Sequence, residues 1–239
     1  MRRWLKWAIA GAVVVVVLAV GVPFVYIHFV EGKAPAPLSL TSPSGKSSSP
    51  TSQSGSTGPA SSGSSSVAGT WQVGAGSLVG YRVNEILVGQ KNVAVGRTKS
   101  VTGHLVIDGT TVSAATFTVK MATIHSDESE RDVQFDGRIM DVAAYPTGVF
   151  TLTHPIDLSP LPATGAVKTY AATGNLTLHG HTRPVTFTLS AERTGSSIKI
   201  SGSIPVLFAR WDIPNPSFGS FVTTQNHGIL EFLLDFTKS

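Results

Sequence analysis

The chain's densest group of chemically capable side chains runs from Asp127 to Asp157, where seven of its fourteen carboxylates fall. Glu128, Glu130, Asp132 and Asp136 stand at helical spacings that can set two carboxylates side by side, as a general acid and base require. The same spacing describes the solvated face of a surface helix, and no further catalytic group joins it, so the solvated face is the preferred reading. His179 and His181 lie two apart and would leave the same face of a continuing strand, a beginning for a metal site. Gly180 between them signals a turn, however, and two imidazoles need a third ligand. They read as a turn-edge pair, with His179 making a structural bond across its hairpin. No serine sits in a G-x-S-x-G elbow. The absence of cysteine excludes thiolate catalysis, disulfides, zinc–thiolate sites and a lipidated cysteine. Arg131-Asp132 can orient a polar ligand head or tie a helical segment to a rim, and its position favours the tie. Arg183-Pro184 reads as a turn whose arginine braces a neighbouring carboxylate. Asn175-Leu176-Thr177 matches a glycosylation sequon but lies within a strand. No catalytic or metal residue is expected.

The elements around these groups are mostly strands. Thr173–Leu189 alternates apolar and polar residues on both sides of a short His/Gly turn, the pattern of a hairpin with one dry face. Alternation recurs at Val79–Val83, at Val101–Ile107 closed by Asp108-Gly109, at Ala114–Met121, at Phe150–Leu152, at Ile198–Ile204 and at Leu230–Phe236. About eight short, evenly spaced strands predict a mainly β antiparallel sandwich or barrel. Ser126–Tyr145 interrupts them with a helical stretch. Ser126 or Ser129 is expected to cap it, Val133, Ile139, Met140 and Val142 to face inward, Gly137 to split it, and Pro146 to end it. Inserted between barrel strands, such a stretch is placed to close or line one mouth.

Charge and composition divide the chain into three zones, 1–33, 34–68 and 69–239. Ala8–Val30 is 23 nearly unbroken apolar residues behind Arg2, Arg3 and Lys6, which predicts a single-pass signal-anchor with a cytoplasmic basic tip and an extracytoplasmic remainder. Residues 34–68, rich in Ser, Gly, Pro and Thr with Lys46 their only charge, are expected to form a flexible spacer with a span on the order of 30 Å. The formal charge of +4 arises wholly before residue 69, because the remaining segment balances 13 Lys and Arg against 13 Asp and Glu. Nucleic acid is therefore not an expected partner.

Four stretches together resemble the YceI-like family: Gly69-Thr70-Trp71-Gln72-Val73; Glu130-Arg131-Asp132 leading to Asp141 and Tyr145-Pro146; Gly174 to Gly180 with Thr182-Arg183-Pro184-Val185; and Arg210-Trp211-Asp212-Ile213. The chain departs from that pattern at Gly76-Ser77, where the family has His-Ser, at Ile213-Pro214, where it has an aromatic before Gly, and at His181. The resemblance implies an eight-stranded lipocalin-like barrel with a short helical insertion. It further implies a polyisoprenoid or similar long-chain lipid as ligand and partner, a quinone-like lipid included, and no other cofactor. The inward phase of the strands then makes Phe117, Val119, Phe150, Leu152, Leu176, Leu178, Val185, Phe187, Leu189, Ile198, Ile200, Leu230, Phe232 and Leu234 the expected lumen residues. The resulting expectation is a non-catalytic lipid carrier, store or protector, held at the cell membrane through residues 8–30, with a homodimer left open. A lipid-modifying enzyme using the acids of 128–136, or a ligand-free stalked module with a lumen filled by its own side chains, are the competing readings.

Overall fold

The computed structural model describes residues 34–40 and 66–239. The apolar run at 8–30 and most of the Ser/Gly/Pro stretch lie outside the described residues, among which no helix is long and apolar enough to cross a membrane. Alternating side chains build strands β1 (Gly69–Val73), β2 (Leu78–Leu87), β3 (Gln90–Thr98), β4 (Val101–Asp108), β5 (Thr111–Lys120), β6 (Thr147–Leu152), β7 (Ile156–Asp157), β8 (Val167–Leu178), β9 (His181–Thr194), β10 (Ser197–Leu207), β11 (Val222–Thr224) and β12 (His227–Lys238).

Eight of these close into an antiparallel barrel in the order β1-β4-β5-β6-β8-β9-β10-β12, with β12 returning to β1 through Trp71↔Lys238 and Val73↔Phe236. The membership of that ring differs from the sequence expectation. The strand around Val79–Val83 is not in it, and the shorter Gly69–Val73 takes its place. β2 instead pairs with the first half of β12, from Ile229↔Arg82 to Leu233↔Leu78, and carries β3 as its hairpin partner and β11 at its tip. An isolated bridge between Arg97 and His125 ties β3 to the helical insertion. The wall thus forks along β12, with β1 continuing it at one end and β2 with β3 at the other, here called the helical end. β1, β3, β7 and β11 escaped the alternation because they are short or carry polar and glycine residues, as in QKNVAVGRT.

The β8–β9 turn has the form the dipeptide His179-Gly180 favours. Both residues have positive φ, 47° and 74°, as a two-residue hairpin between the paired Leu178 and His181 requires. Gly174 serves a different need. A Cβ there would sit 2.4 Å from the Thr151 carbonyl oxygen and 2.5 Å from the Phe150 ring, so only glycine lets β6 and β8 pair beneath that ring.

The insertion between β5 and β6 is helical, with differences in detail. α1 (Ser129–Gln134) runs straight into a π-helical turn, Phe135–Ile139, that contains Gly137, so the glycine does not split it. The cap position is Glu128, without a side-chain cap bond, and Ser126 and Ser129 do not cap. Ser126 donates its hydroxyl to Asp132 Oδ1 at 2.7 Å and its amide to the same oxygen at 2.8 Å, which ties the entry loop to the helix. Met140 and Val142 are buried as expected, together with Phe135, but Val133 is 69% exposed. Arg131, Gln134 and Phe135 face the cavity at i, i+3 and i+4, which turns Val133 to the opposite side of the helix.

Candidate functional site

A cavity of about 700 Å³ runs through the barrel, bounded mainly by apolar side chains. Every expected lumen residue lines it except Val185. That residue shares the inward phase and is buried in the core, but it lies where the Phe208–Trp211 turn is fastened to β9 by Arg183 Nε donating to the Arg210 carbonyl at 2.9 Å. Arg183 therefore braces a backbone carbonyl and not a carboxylate. Val79, Val83, Ala115, Tyr170 and Ala172 complete much of the wall and were absent from the expected set. Tyr170 and Ala172 continue the phase of Leu176 and Leu178 along β8, so counting back by twos would have found them.

The rings explain why the lumen is open. Phe150 stacks with Phe117 at 6.4 Å between centroids and meets Phe187 edge-on at 5.4 Å, while Phe187 meets Phe232 edge-on at 5.8 Å. Each ring is held by neighbours along the wall in a favoured aromatic geometry, so none is driven into the middle. A lumen filled by its own phenylalanines and leucines is not what the barrel has.

Polar groups reach this cavity at its ends. At the far end these are Glu192 and Arg193, beside Leu158, Leu161 and Pro162. At the helical end they are more numerous: Tyr81, Glu85, Glu128, Glu130, Arg131 and Gln134. Glu85, 8% exposed, accepts from Asn92 Nδ2 at 2.9 Å and from Arg131 Nη2 at 3.5 Å, and Arg131 also pairs with Asp127. Burial works against the Arg131 charge, but the facing carboxylates of Glu85 and Asp127 outweigh it and hold the guanidinium cationic above its ordinary range. Tyr81 stacks on Phe135 at 5.1 Å. Burial, reinforced by the charges of Asp132 and Glu85 and opposed by Arg131, pushes its phenol well above the ordinary tyrosine value. The phenol thus stays protonated through the physiological range. Arg131 consequently does more than tie the insertion down: it belongs to a polar group at the end of an apolar tube. Its position in the β-barrel was not readable from sequence, because Glu85 lies 46 residues away.

Outside that end, Ile86, Val88, Phe218 and Phe221 are 39, 43, 56 and 61% exposed. The Val88 amide donates to the Phe221 carbonyl at 2.8 Å, and Leu87, Phe218 and Val222 line the cavity, so the apolar lining continues onto the surface as a rim.

The histidines take structural places. His179 sits with Nδ1 3.3 Å from the Trp211 carbonyl and its ring 4.7 Å from that of Tyr145, so its bond reaches the Phe208–Trp211 turn and not across its own hairpin. Among the described residues no three His, Asp or Glu side chains converge as a metal site would need. Asp132 is engaged by Ser126 and by His125 at 3.2 Å.

The YceI-like domain model matches residues 71–235, more than half of the chain. The chain belongs to the YceI-like domain family. Among solved structures, a polyisoprenoid-binding domain from Saccharophagus degradans implicated in plant cell wall breakdown is similar at 14% identity and a TM-score of 0.60, covering 72% of this chain and 99% of that one. Burkholderia cenocepacia BcnA is similar at 20% identity and a TM-score of 0.53, covering 68% of this chain and 98% of that one. At these identities the likeness is one of fold. No curated protein matches the sequence.

Proposed function

We propose that this YceI-like protein is a non-catalytic binder of a polyisoprenoid or similar long-chain lipid, taken tail-first into the barrel. The observation that carries the reading is the 700 Å³ apolar cavity whose helical end gathers Tyr81, Glu85 and Arg131. At ~30 Å³ per non-hydrogen atom, the volume of a liquid water, such a cavity holds on the order of 20 atoms, about four isoprene units. Burial contributes roughly 0.8 kcal/mol per CH₂, so a tail of that length supplies ample driving force without a charged contact. A head group with a hydroxyl or carbonyl would rest at the helical end, beside the Tyr81 phenol and the Arg131 guanidinium. The solved relative from Saccharophagus degradans is described as polyisoprenoid-binding, which supports the ligand class.

The apolar rim of Ile86, Val88, Phe218 and Phe221 supports entry of the ligand from a lipid phase. With residues 8–30 as a single-pass anchor and the basic tip in the cytoplasm, the barrel would stand outside the membrane from which it draws its cargo. Native mass spectrometry of the purified full-length chain tests the ligand directly. Retained lipid, or uptake of added geranylgeraniol with a one-to-one mass increment, is expected. A protein that emerges lipid-free and takes up no prenyl compound refutes the proposal.

A further inference from the structure

The outer wall of the barrel carries a separate built site. Alternation along β12 turns Leu230 and Phe232 to the lumen and Glu231 outward, where a carboxylate would ordinarily be wet. Glu231 is 3% exposed, and Ser201, outward on neighbouring β10, is 5% exposed. Arg82 Nε lies 3.3 Å and Arg97 Nη2 2.7 Å from the Glu231 carboxylate. Arg97 reaches it from β3 by crossing β2 at Gly80, where a Cβ would meet the Arg97 side chain at 2.9 Å. Two guanidiniums facing one carboxylate leave a net positive charge with donors to spare.

Residues 34–40, APAPLSL, lie over this cluster. Arg82 Nη2 donates to the Pro35 carbonyl at 2.6 Å, and Arg97 donates to the carbonyl of Ala36. The amide of Leu38 donates to Glu231 Oε2 at 3.4 Å and that of Leu40 to Ser201 Oγ at 3.2 Å. The segment therefore crosses the wall from β3 and β2 to β12 and β10. Its composition suits the task. Pro35 and Pro37 have no N–H to leave unpaired and hold the backbone extended, so little entropy is lost on docking. Consecutive carbonyls present their negative ends to the surplus guanidinium charge.

We infer that the Arg82–Arg97–Glu231–Ser201 face is a recognition site for an extended, proline-bearing segment, and that its occupant is this chain's own Ala34–Leu40. The stretch expected to begin a free spacer is thereby a strap that fastens the N-terminal part of the chain to the barrel wall. The docking stands on the wall geometry alone. One consequence rests on the anchor reading proposed above: the four residues from Val30 to Ala34 span at most ~14 Å, so a docked strap keeps the barrel close to the bilayer where a free spacer would let it stand off by about 30 Å.

The chain has no cysteine, so Ala36→Cys, exposed and engaged only through its carbonyl, with Thr188→Cys, which borders the small cleft next to Pro37, can carry the only pair of spin labels and leaves both strap prolines in place. Full-length protein in detergent micelles should give a single short interlabel distance. Adding Leu38→Pro and Leu40→Pro removes both amide donors and alters no barrel residue. This should lower the short-distance population about tenfold while the melting temperature of the barrel holds. A broad, long distribution in the parent, or a short distance that survives the two prolines, overturns the strap. In nanodiscs, a docked strap with the barrel far from the bilayer surface would overturn the anchor consequence alone.

Discussion

Ala172→Phe separates a ligand cavity from a packed core. Ala172 is 1% exposed to solvent, lines the cavity from β8 and pairs with Phe187 of β9. A benzyl group added there must enter the lumen. If the space is empty, the new ring displaces about one isoprene unit of a bound tail, five carbons at roughly 0.8 kcal/mol each, or about 4 kcal/mol. Allowing the ligand to shift and recover half of that, the affinity for geranylgeraniol should fall between about 30- and 1,000-fold. The ring meanwhile gains contacts in the unliganded protein, so the lipid-free melting temperature should hold or rise. In a filled core the same change would be overpacking, costing about 1–3 kcal/mol. For a domain of this size that lowers Tm by roughly 2–12 °C. Fluorescence-displacement titrations and thermal melts on delipidated protein read the two quantities separately. Unchanged affinity together with a lowered Tm would refute the cavity and the function built on it.

Three further outcomes follow from the contacts. His179→Ala should lower stability by about 1–2 kcal/mol through loss of the bond toward Trp211 and the Tyr145 ring contact; His179→Asn, which tolerates the positive φ of 47°, should lose less, and thermal melts rank them. Trp211→Phe removes the donor that sits 3.2 Å from the Leu176 carbonyl at a fully buried position, so urea unfolding should show a loss of about 1–3 kcal/mol. Glu85→Gln and Arg131→Gln should each destabilise more than half as much as the double variant, with a coupling of about 1 kcal/mol or more in a double-mutant cycle. The double variant should bind a bare hydrocarbon tail as the parent does while losing preference for a hydroxyl-bearing one, measured by competition between geranylgeraniol and its parent alkene.

The strands were legible where one face is dry and the other wet. Leu176, Leu178, Phe187 and Leu189 alternate with Thr177, Thr186 and Thr188, so burial and period agree, and the same holds along β10 and β12 apart from the outward but buried Ser201 and Glu231. β1 has only five residues, and its membership of the ring depends on two partners, β4 and β12, that lie far along the chain. β3 mixes Val93 and Val95 with Lys91 and Arg97 on one face and carries Ala94 and Gly96 on the other, Gly96 because the Tyr81 ring lies 2.3 Å from where its Cβ would be. Period alone reads such a strand as loop. In the helical insertion the inward face is set by Arg131, Gln134 and Phe135, two of them polar, so an apolar stripe through Val133 misplaces it and Val133 is exposed.

Polar residues mislead in a more instructive way. In sequence Arg131 reads as a tie between the insertion and the rim, and Glu231 as an ordinary solvated charge in the outward phase of a strand. Each is covered, Arg131 in part and Glu231 wholly, by an element distant along the chain: Arg131 pairs with Glu85 of β2, and Glu231 lies under Arg82, Arg97 and residues 34–40. Alternation assigns a side chain to a face, but it does not say what else lies over that face. An outward charge that the fold nevertheless buries must be compensated by partners, because a lone charge there would lose several kcal/mol of solvation. The compensation is visible in both places and points opposite ways. Around Arg131 it sets a guanidinium, a carboxylate and a phenol at the end of an apolar tube, where the proposed lipid head would lie. Around Glu231 the spare donors are already taken by backbone carbonyls of the chain itself. The first borders a cavity and the second is covered by the chain itself, so on the proposed reading the lumen takes the cargo and the outer wall the attachment.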